Sequence, residues 1–451
     1  MDAAETLPEP DFLLDRAADA VARARRAGAD AAHASVHASR SASVNVRLGA
    51  LEDVDHSEGS GLSLRLFIGT RSATLSTADT SVVALDKLVE RAMAMARHAP
   101  ENPWGGLAPQ ELLATGELPE LDLIDKGPGP APEALHELAR AVEDASLSVA
   151  GVTNSEGGTA AYSRSSHAMV TSHGFARAAS TTGFSLSASV IAGQGDSMQR
   201  DYDWHSARHA SDLESAEHIG QSAGKRAVAR LNPGTLPSGA MPILFDPRVS
   251  GSLFGHLIGA LAGGAIAKGR SFLIGREGAM LFPEAITLWD DPHRPRGTRS
   301  RSFDGEGLPT RGSALIDHGI IAPWLCDAAS ARQLGRAPTG HASGGGGVTT
   351  GNLALEPGAV TRASLMADIR HGVLVTELIG QGVDILTGDY SRGASGWLIV
   401  DGAIAGPVSG FTIAGNLMAM FADLAAADDV DRRYSAHMPT LRTDVMTVAG
   451  D

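Results

Sequence analysis

The sequence predicts an α+β protein, in which an N-terminal α/β region with helices on antiparallel strands precedes a glycine-rich, mostly antiparallel β C-terminal domain. Up to about residue 232, segments of helical apolar periodicity are separated by stretches of period-two alternation. Beyond that point short apolar strands and glycines predominate, and the 451 residues include 53 glycines in all. The hydrophobic fraction of 43% and the charged fraction of 20% are typical of a folded globular chain.

Four helices are predicted in the first 232 residues from apolar stripes with the helical period. They cover residues 12–27, 82–97, 132–148 and 212–231. Asp11 can cap the first of them and Gly28 follows its last turn, as helix start and stop signals do.

Alternating apolar and polar residues between these helices predict antiparallel strands. The stretches concerned are 35–37, 43–48, 62–68 and the meander 150–205. Residues 100–132 contain seven prolines, a density that opposes regular structure and indicates a linker. The predicted units are an N-terminal α/β domain with this proline-rich linker (1–120), a central unit of antiparallel strands and helices that can pack with the first (121–232), and a C-terminal β-rich domain (233–451).

The C-terminal domain is predicted to contain buried strands at 241–245 and 372–378. The stretches 397–400 and 403–404 predict a hairpin, because Asp401-Gly402 suits a type I′ turn. Residues 249–267 contain no Asp, Glu, Lys or Arg, but five glycines interrupt them. We interpret this segment as a buried helix of a soluble protein, because membrane-interface anchors are missing beside it.

Charge and cysteine content restrict the partners of the chain. The formal net charge is −15, which argues against nucleic acid as the main partner. The single cysteine, Cys326, cannot form an internal disulfide, and the acidic N-terminus shows no signal peptide, so a cytoplasmic location is expected. The chain has 16 histidines but a single cysteine, so any metal site would have to be built from His, Asp and Glu.

A metal site is conceivable where two histidines stand four residues apart. His205 and His209 would share one face of a helix, and Asp201 and Asp203 lie just upstream. The segment is polar and belongs to no long apolar helix, so a solvated turn is the favoured interpretation.

Other residues whose side chains could take part in binding or catalysis have simpler structural interpretations. His33 and His37 stand among alanines and serines and are predicted at the surface. Cys326 follows an apolar stretch and is predicted to be a buried, inert thiol. Residues 344–347 form a flexible or peptide-contacting glycine loop without the Lys-Ser/Thr that a phosphate loop requires. A group of arginines is predicted as a solvated loop, with anion binding as the alternative: Arg294, Arg296, Arg299 and Arg301.

Two glycine-flanked turns carry charged residues into positions where the backbone can approach a ligand. The first contains Asp304 and Glu306, and the second contains Asp389, Tyr390 and Arg392. Ordinary turn chemistry with a local salt bridge explains the same residues equally well.

At these residues the sequence resembles the TldD/PmbA family, in its PmbA branch, which is also called TldE. The resemblance extends over essentially the whole chain and is densest in a series of blocks in order along the C-terminal half. The blocks are residues 253–264, 303–310, 330–335, 339–342, 375–383, 387–394 and 411–417.

The resemblance implies a zinc metallopeptidase built from two related subunits, in which the TldD-type subunit carries an H-E-x-x-x-H motif and a further cysteine ligand. The motif positions here are Gly255, His256 and Ala260, and residues 435–444 contain no cysteine. Because glycine and alanine have no donor atoms, zinc is expected in the partner subunit and no cofactor in this chain. His256 is expected to be a buried, backbone-bonded histidine.

The resemblance further implies a non-catalytic subunit that pairs with a TldD-type subunit and helps to enclose a cleft for small or unfolded peptides. Asp304, Glu306, Asp389, Tyr390 and Arg392 are the candidates for lining that cleft, and neither nucleic acid nor a membrane is expected as a partner. Two alternatives stay open. One is an autonomous hydrolase that uses His256, Asp304, Glu306 or Asp389, with a metal at His205 and His209, and the other is a homodimeric peptide-binding scaffold.

Overall fold

The computed structural model describes residues 7–450. In that range the helices are α1 (Pro10–Arg26), α2 (Val82–His98), α3 (Pro132–Leu147), α4 (Ala216–Ala229), α5 (Pro247–Leu261), α6 (Gly263–Ala267), α7 (Ala328–Leu334), α8 (Arg362–Met366) and α9 (Leu417–Ala422). The strands are β1 (Ala31–Arg47), β2 (Ala50–Ile68), β3 (Arg71–Thr77), β4 (Val152–Thr171), β5 (Ala176–Ala192), β6 (Gln199–Ala207), β7 (Gly239–Ala240), β8 (Ile243–Phe245), β9 (Leu288–Asp291), β10 (Ser313–Asp317), β11 (Ile320–Ile321), β12 (Asn352–Leu355), β13 (His371–Val383), β14 (Asp389–Val400), β15 (Ala403–Asn416), β16 (Ala425–Ala426), β17 (Leu441–Thr443) and β18 (Thr447–Ala449).

The first six strands form one antiparallel sheet in the order β3-β2-β1-β4-β5-β6. Even-numbered residues at both ends of β1, such as Ala34 and Val46, are buried against the helices that cover one face of the sheet. Helices α1 and α2 cover one half of that face, and α3 and α4 cover the other. We call this sheet with α1–α4 the helix–sheet unit. The helix–sheet unit has elements on both sides of residue 120. The domain boundary predicted at that residue stays a prediction.

The remaining elements form the C-terminal unit, which contains β7–β18 and α5–α9. An eight-stranded sheet runs in the order β16-β17-β8-β13-β14-β15-β18-β7, and β8 pairs with β13 in parallel. A second sheet of four strands has the order β11-β10-β9-β12. The neighbouring strands elsewhere in both sheets pair in antiparallel fashion, so the predicted α+β class is confirmed.

Several predicted boundaries differ from the observed ones for identifiable local reasons. The stretches 35–37 and 43–48 belong to the single strand β1, apart from Leu48, which lies in the turn after it. The helix predicted over 212–231 begins later, because Ser215 accepts a hydrogen bond from the His218 N–H and caps α4 there. Asp11 lies in the first turn of α1 instead of capping it, since Pro10 occupies the first helical position.

The charge-free segment 249–267 lies in two helices rather than one. Ala262, with ψ of 120°, separates α5 from α6 and forms a bridge with Leu325. Among residues 7–450 no helix is both long and apolar enough to cross a bilayer. The predicted hairpin is confirmed, since Asp401 and Gly402 connect β14 to β15 with φ of 46° and 78°.

The proline-rich linker crosses the surface of the C-terminal unit and is held there through its backbone. The Arg332 guanidinium donates to the Trp104 carbonyl at 2.9 Å and to the Leu107 carbonyl. The Ala114 N–H donates to the Gly307 carbonyl at 2.8 Å. The linker is therefore an ordered strap between the two units.

Two buried carboxylates of β6 form the main polar connection between the units. Asp201 pairs with Arg230 at 3.3 Å and with Arg248 of α5 at 3.0 Å. Asp203 pairs with Arg226 of α4 at 3.0 Å and with Arg433 at 3.3 Å. Although burial alone raises the pKa of Asp203, the Ser222 hydroxyl and the two guanidinium groups lower it overall. Both carboxylates are thus held in place by a cation from each unit.

We predict that Asp203→Asn lowers the free energy of unfolding by about 2 kcal/mol, because it removes the counter-charge of the partly buried Arg226 and leaves Arg433 with Glu214 as its remaining carboxylate partner. Urea unfolding at pH 7 measures the difference. Asp196→Asn, the same change at an exposed turn of this unit, is the control and should stay within about 0.5 kcal/mol of the wild type. Equal stability of the two variants would contradict the structural role of the Asp203 ion pairs.

Candidate functional site

A groove runs along one face of α5, whose glycines lie four residues apart at Gly251, Gly255 and Gly259. Gly255 and Gly259 are exposed, and a Cβ at Gly255 would meet no atom of the described chain within 4 Å. The groove encloses about 310 Å³. On the helix it is bounded by Gly251, Gly255 and Ile258, and on its other sides by Arg299 and residues 348–351, 353 and 435–436. We call this space the α5 groove.

The helix forms despite these glycines because its other face is buried. Leu253, Phe254 and Leu257 are fully buried in the main core of the C-terminal unit. Asp246 caps the helix by accepting a hydrogen bond from the Arg248 N–H at 3.1 Å, and Pro247 occupies the first position. Tertiary packing therefore compensates for the poor helix propensity of glycine.

The three positions that correspond to the zinc motif lie in different surroundings and do not face a common site. Gly255 lies on the groove, His256 is half-buried and faces β14, and Ala260 is completely buried. Within residues 7–450 no group of three or more His, Cys, Asp or Glu side chains is close enough to hold a metal ion. These residues do not fit a catalytic zinc ion, which requires about three protein ligands.

The residue after Gly255 on α5, His256, packs near two polar side chains of β14, Tyr390 and Arg392. The rings of His256 and Tyr390 have centroids 6.0 Å apart at an interplanar angle of 77°. In the described chain, His256 Nε2, the Tyr390 hydroxyl and Arg392 Nε are buried and have no hydrogen-bond partner. The expected backbone hydrogen bond of His256 is therefore not made through Nε2. We call these three residues the His–Tyr–Arg cluster.

The electrostatics of the cluster follow from burial beside a cation. Burial and the charge of Arg392 lower the pKa of His256, so the imidazole is neutral at pH 7. Burial raises the pKa of Tyr390 to about 12, although Arg392 opposes the shift. The cluster accordingly presents a neutral imidazole, a phenol and a guanidinium, which suit binding to a carbonyl or a carboxylate.

Asp389, which precedes Tyr390 in the same predicted turn, stabilises that turn through hydrogen bonds. Its carboxylate accepts hydrogen bonds from the Thr387 hydroxyl at 2.8 Å and from the Asn416 amide at 3.2 Å. Asp389 is exposed, whereas Tyr390 is buried, as expected for neighbours on a strand. The turn-chemistry interpretation therefore applies to Asp389.

The other predicted turn lies in a different part of the molecule. Asp304 is buried, and its carboxylate accepts hydrogen bonds from the backbone N–H groups of Glu306, Leu308 and Ala342 at 2.9–3.0 Å. Asp304 thus organises two loops. Glu306 lines a second cavity, between the helix–sheet unit and the C-terminal unit, together with Arg65, whose sequence context gave no signal.

The remaining sequence candidates have structural roles. The solvated turn expected at His205 and His209 is wrong, since both are only 9% exposed. His209 Nε2 bonds to the Asp122 carbonyl at 2.9 Å, and His205 Nδ1 accepts from the Glu214 N–H at 3.2 Å. Cys326 is buried, and burial raises its thiol pKa, as expected for an inert thiol.

The arginine-rich segment is likewise not a freely solvated loop. Arg294, Arg299 and Arg301 donate to backbone carbonyls of Leu353 and Thr350, at distances of 2.8–3.3 Å. Arg296 pairs with the Asp122 and Asp212 carboxylates. The segment therefore connects loops of the two units, and the anion-binding alternative stays a prediction, since Arg294 and Arg296 also line a small cavity with Arg208, Arg432 and Arg433. His37 is exposed as predicted, whereas His33 is half-buried.

Comparison with known proteins gives matches over nearly the whole chain. Residues 238–450, 125–231 and 32–96 match the models of the PmbA/TldA metallopeptidase C-terminal domain, central domain and domain 1. The metalloprotease PmbA of Escherichia coli O157:H7 is 34% identical over 97% of this chain and 96% of its own length.

Two crystal structures share the fold. A protein of Bacteroides thetaiotaomicron, described as a candidate modulator of DNA gyrase, superposes with a TM-score of 0.89 at 26% identity, over 97% of this chain and 98% of its own. TldE of Thermococcus kodakarensis superposes with a TM-score of 0.83 at 21% identity, over 96% of this chain and 100% of its own, which shows the fold alone.

We predict that Glu306→Gln stabilises the protein more at pH 8 than at pH 5. Burial, with the charges of Asp304 and Asp327, raises the pKa of Glu306 to about 7, although the Ala328 N–H and Arg65 lower it. In the unfolded chain a glutamate has a pKa of about 4.3, so folding becomes less favourable as this group ionises between those values. Glutamine does not titrate and removes that loss.

The measurement is the difference in melting temperature between variant and wild type at the two pH values. Glu284→Gln, at an exposed position of the C-terminal unit, is the matched control and should give the same small difference at both. A pH-independent effect of Glu306→Gln would contradict the raised pKa.

Proposed function

Because this chain belongs to the TldD/PmbA family of metallopeptidases, in its PmbA (TldE) branch, we propose that it is the zinc-free subunit of a TldD–TldE-type peptidase complex. In this proposal a TldD-type partner carries the zinc ion, and this chain helps to enclose the cleft in which small or unfolded peptides are cleaved. The single cysteine makes the cytoplasm the proposed compartment.

The observation that carries the proposal is the glycine face of α5. At the positions where a zinc-binding relative has its histidines, this chain has Gly255, which opens into the groove, and Ala260, which is buried. Neither has a side-chain donor atom, so this chain supports no chemistry on zinc at that helix. The α5 groove beside the helix provides a space in which a peptide can lie.

The walls of the groove suit a peptide main chain. Glycines at Gly251 and Gly255 let a peptide backbone approach α5 closely, and residues 348–351 present a second backbone along the opposite wall. Main-chain contacts of this kind give affinity with little sequence selectivity. The His–Tyr–Arg cluster, whose His256 follows Gly255 on α5, adds buried polar groups that a peptide carbonyl or carboxylate would satisfy.

Reconstitution tests the proposal directly. This chain, a TldD-type partner and an equimolar mixture are each assayed for hydrolysis of an unfolded peptide, and the zinc content of each purified chain is measured. We expect zinc in the partner, and chelator-sensitive hydrolysis that the mixture performs faster than either chain alone. Stoichiometric zinc and chelator-sensitive activity in this chain by itself would instead support an autonomous hydrolase. Peptide binding without any gain on mixing would support a homodimeric scaffold.

We further predict that Gly255→Ala reduces hydrolysis by the reconstituted mixture while leaving this chain at least as stable. The new methyl group meets no atom of the described chain within 4 Å, so it narrows the groove without a clash. Alanine is favoured over glycine within a helix by about 1 kcal/mol. The melting temperature and the rate of peptide hydrolysis are the two measurements.

Gly264→Ala is the matched control, because this helical glycine of α6 is also open to a methyl group but does not line the groove. It should raise stability similarly and leave hydrolysis unchanged. Unchanged hydrolysis in the Gly255→Ala mixture would remove the α5 groove from the proposed cleft.

A further inference from the structure

A second cavity lies between the helix–sheet unit and the C-terminal unit, on the face of the six-stranded sheet that is opposite to α1 and α2. It encloses about 390 Å³. One wall consists of residues of β1–β3, and the other contains Gly305, Glu306, Asp327 and residues 343–346. We call it the inter-unit cavity. It shares none of its lining residues with the α5 groove.

The sheet contributes one transverse row of polar side chains to this cavity. His33 of β1 is the register partner of Arg65 of β2 and of Thr171 of β4, and Arg65 is in turn the partner of Thr74 of β3. Register partners point to the same face of a sheet, so these four side chains form a continuous row across four strands.

The row contains two polar groups that lack a partner. In the described chain, Arg65 makes no ion pair or hydrogen bond, and its guanidinium lies over the Phe67 ring with Cζ 4.9 Å from the centroid. His33 Nε2 is buried and, among the same residues, has no hydrogen-bond partner. Burial and the neighbouring Arg65 lower the pKa of His33 to about 4, so the imidazole is neutral and Arg65 carries the charge of this wall.

The opposite wall is acidic. One Glu306 oxygen accepts a hydrogen bond from the Ala328 N–H at 2.7 Å, which fixes the carboxyl at the start of α7. Asp327 caps that helix by accepting from the Ser330 N–H at 2.8 Å. Within residues 7–450 no ion pair joins either carboxylate to Arg65, although all three line the same cavity. The cavity therefore keeps opposite charges apart.

The glycine loop contributes residues 343–346 to the same wall as Glu306 and Asp327. A Cβ at Gly305 would lie 2.4 Å from the Gly344 backbone nitrogen, so the two loops are in direct backbone contact there. Beyond that contact, a Cβ at Gly344 or Gly345 would meet no described atom within 4 Å. The glycine loop, expected from its sequence to be flexible or to contact a peptide, thus leaves the cavity open on this side.

We propose that the inter-unit cavity binds a small zwitterion of the amino-acid type, either a free α-amino acid or a dipeptide. Its carboxylate would pair with Arg65 and accept a hydrogen bond from neighbouring polar groups, and its ammonium group would pair with Glu306 and Asp327. The volume is at the lower end of the range for small-molecule sites, about 300–1,000 Å³, which suits a ligand of this size.

The charge arrangement selects this class over simpler ligands. A plain anion would satisfy Arg65 but would be repelled by the two carboxylates, and a plain cation would meet the converse problem. A zwitterion neutralises both walls at once, and charge-assisted hydrogen bonds at each end make the strongest polar contacts available. The site is independent of the proposed peptidase role, because it uses none of the α5 groove residues.

Isothermal titration calorimetry on the full chain at pH 8, where Glu306 with its pKa of about 7 is mostly ionised, tests the proposal. The probes are L-alanine, L-alanyl-L-alanine, the C-terminal amide of that dipeptide, its N-acetyl derivative, and sodium acetate. We expect alanine or the dipeptide to bind, and each blocked derivative and acetate to bind about tenfold more weakly or worse, because each lacks one charged contact. Arg65→Gln and Glu306→Gln should each weaken the unblocked ligand to a similar degree.

Two further variants establish that the ligand occupies the inter-unit cavity. Arg164→Gln, at an exposed position on β4 of the same sheet, is the matched control and should leave affinity unchanged. Arg392→Gln reports any ligand that binds at the His–Tyr–Arg cluster instead. Absence of binding by alanine and the dipeptide, equal binding by the blocked derivatives, or full binding by acetate would each overturn the proposal. Loss of binding in Arg392→Gln but not in Arg65→Gln would overturn it as well, because the ligand would then occupy the His–Tyr–Arg cluster.

Discussion

The two buried carboxylates of β6 determine how the units of this molecule are arranged. Asp201 binds Arg248, which lies in the first turn of α5, and Asp203 binds Arg433, two residues before the wall of the α5 groove begins. The edge strand of the helix–sheet unit is therefore joined to both sides of the groove. Towards the opposite edge of the sheet, residues of β1–β3 face residues 305–306 across the inter-unit cavity.

Ion pairs are an expensive way to join two surfaces, because both charges leave water. A hydrophobic contact would hold the units equally well but would tolerate sliding, whereas a carboxylate between two guanidinium groups fixes one position. The units also share a buried apolar cluster, in which Phe175 and Phe303 contact each other at a centroid distance of 5.1 Å. The charges therefore supply the orientation, and the aromatic contact supplies much of the local burial.

The sequence patterns predicted what depends on local chemistry. Helical periodicity found α2 and α3 to within a residue or two, and Asp401-Gly402 identified its hairpin, because these signals act over a few neighbouring residues. Asp201 and Asp203 attracted attention only through nearby histidines, since their arginine partners lie as far as 230 positions along the chain. The pairing of Arg65 with His33 could not be predicted for the same reason: it is a matter of sheet register, which sequence spacing does not reveal.

Several buried polar atoms without a hydrogen-bond partner in the described chain belong to the His–Tyr–Arg cluster and to the inter-unit cavity. A buried donor or acceptor without a partner costs roughly 1–3 kcal/mol. His256, Tyr390 and Arg392 contribute three such atoms, and His33 contributes another in the inter-unit cavity. A chain that served only to fill space could hold apolar side chains there and gain stability. Under both proposals, a bound ligand would satisfy these groups and offset that cost.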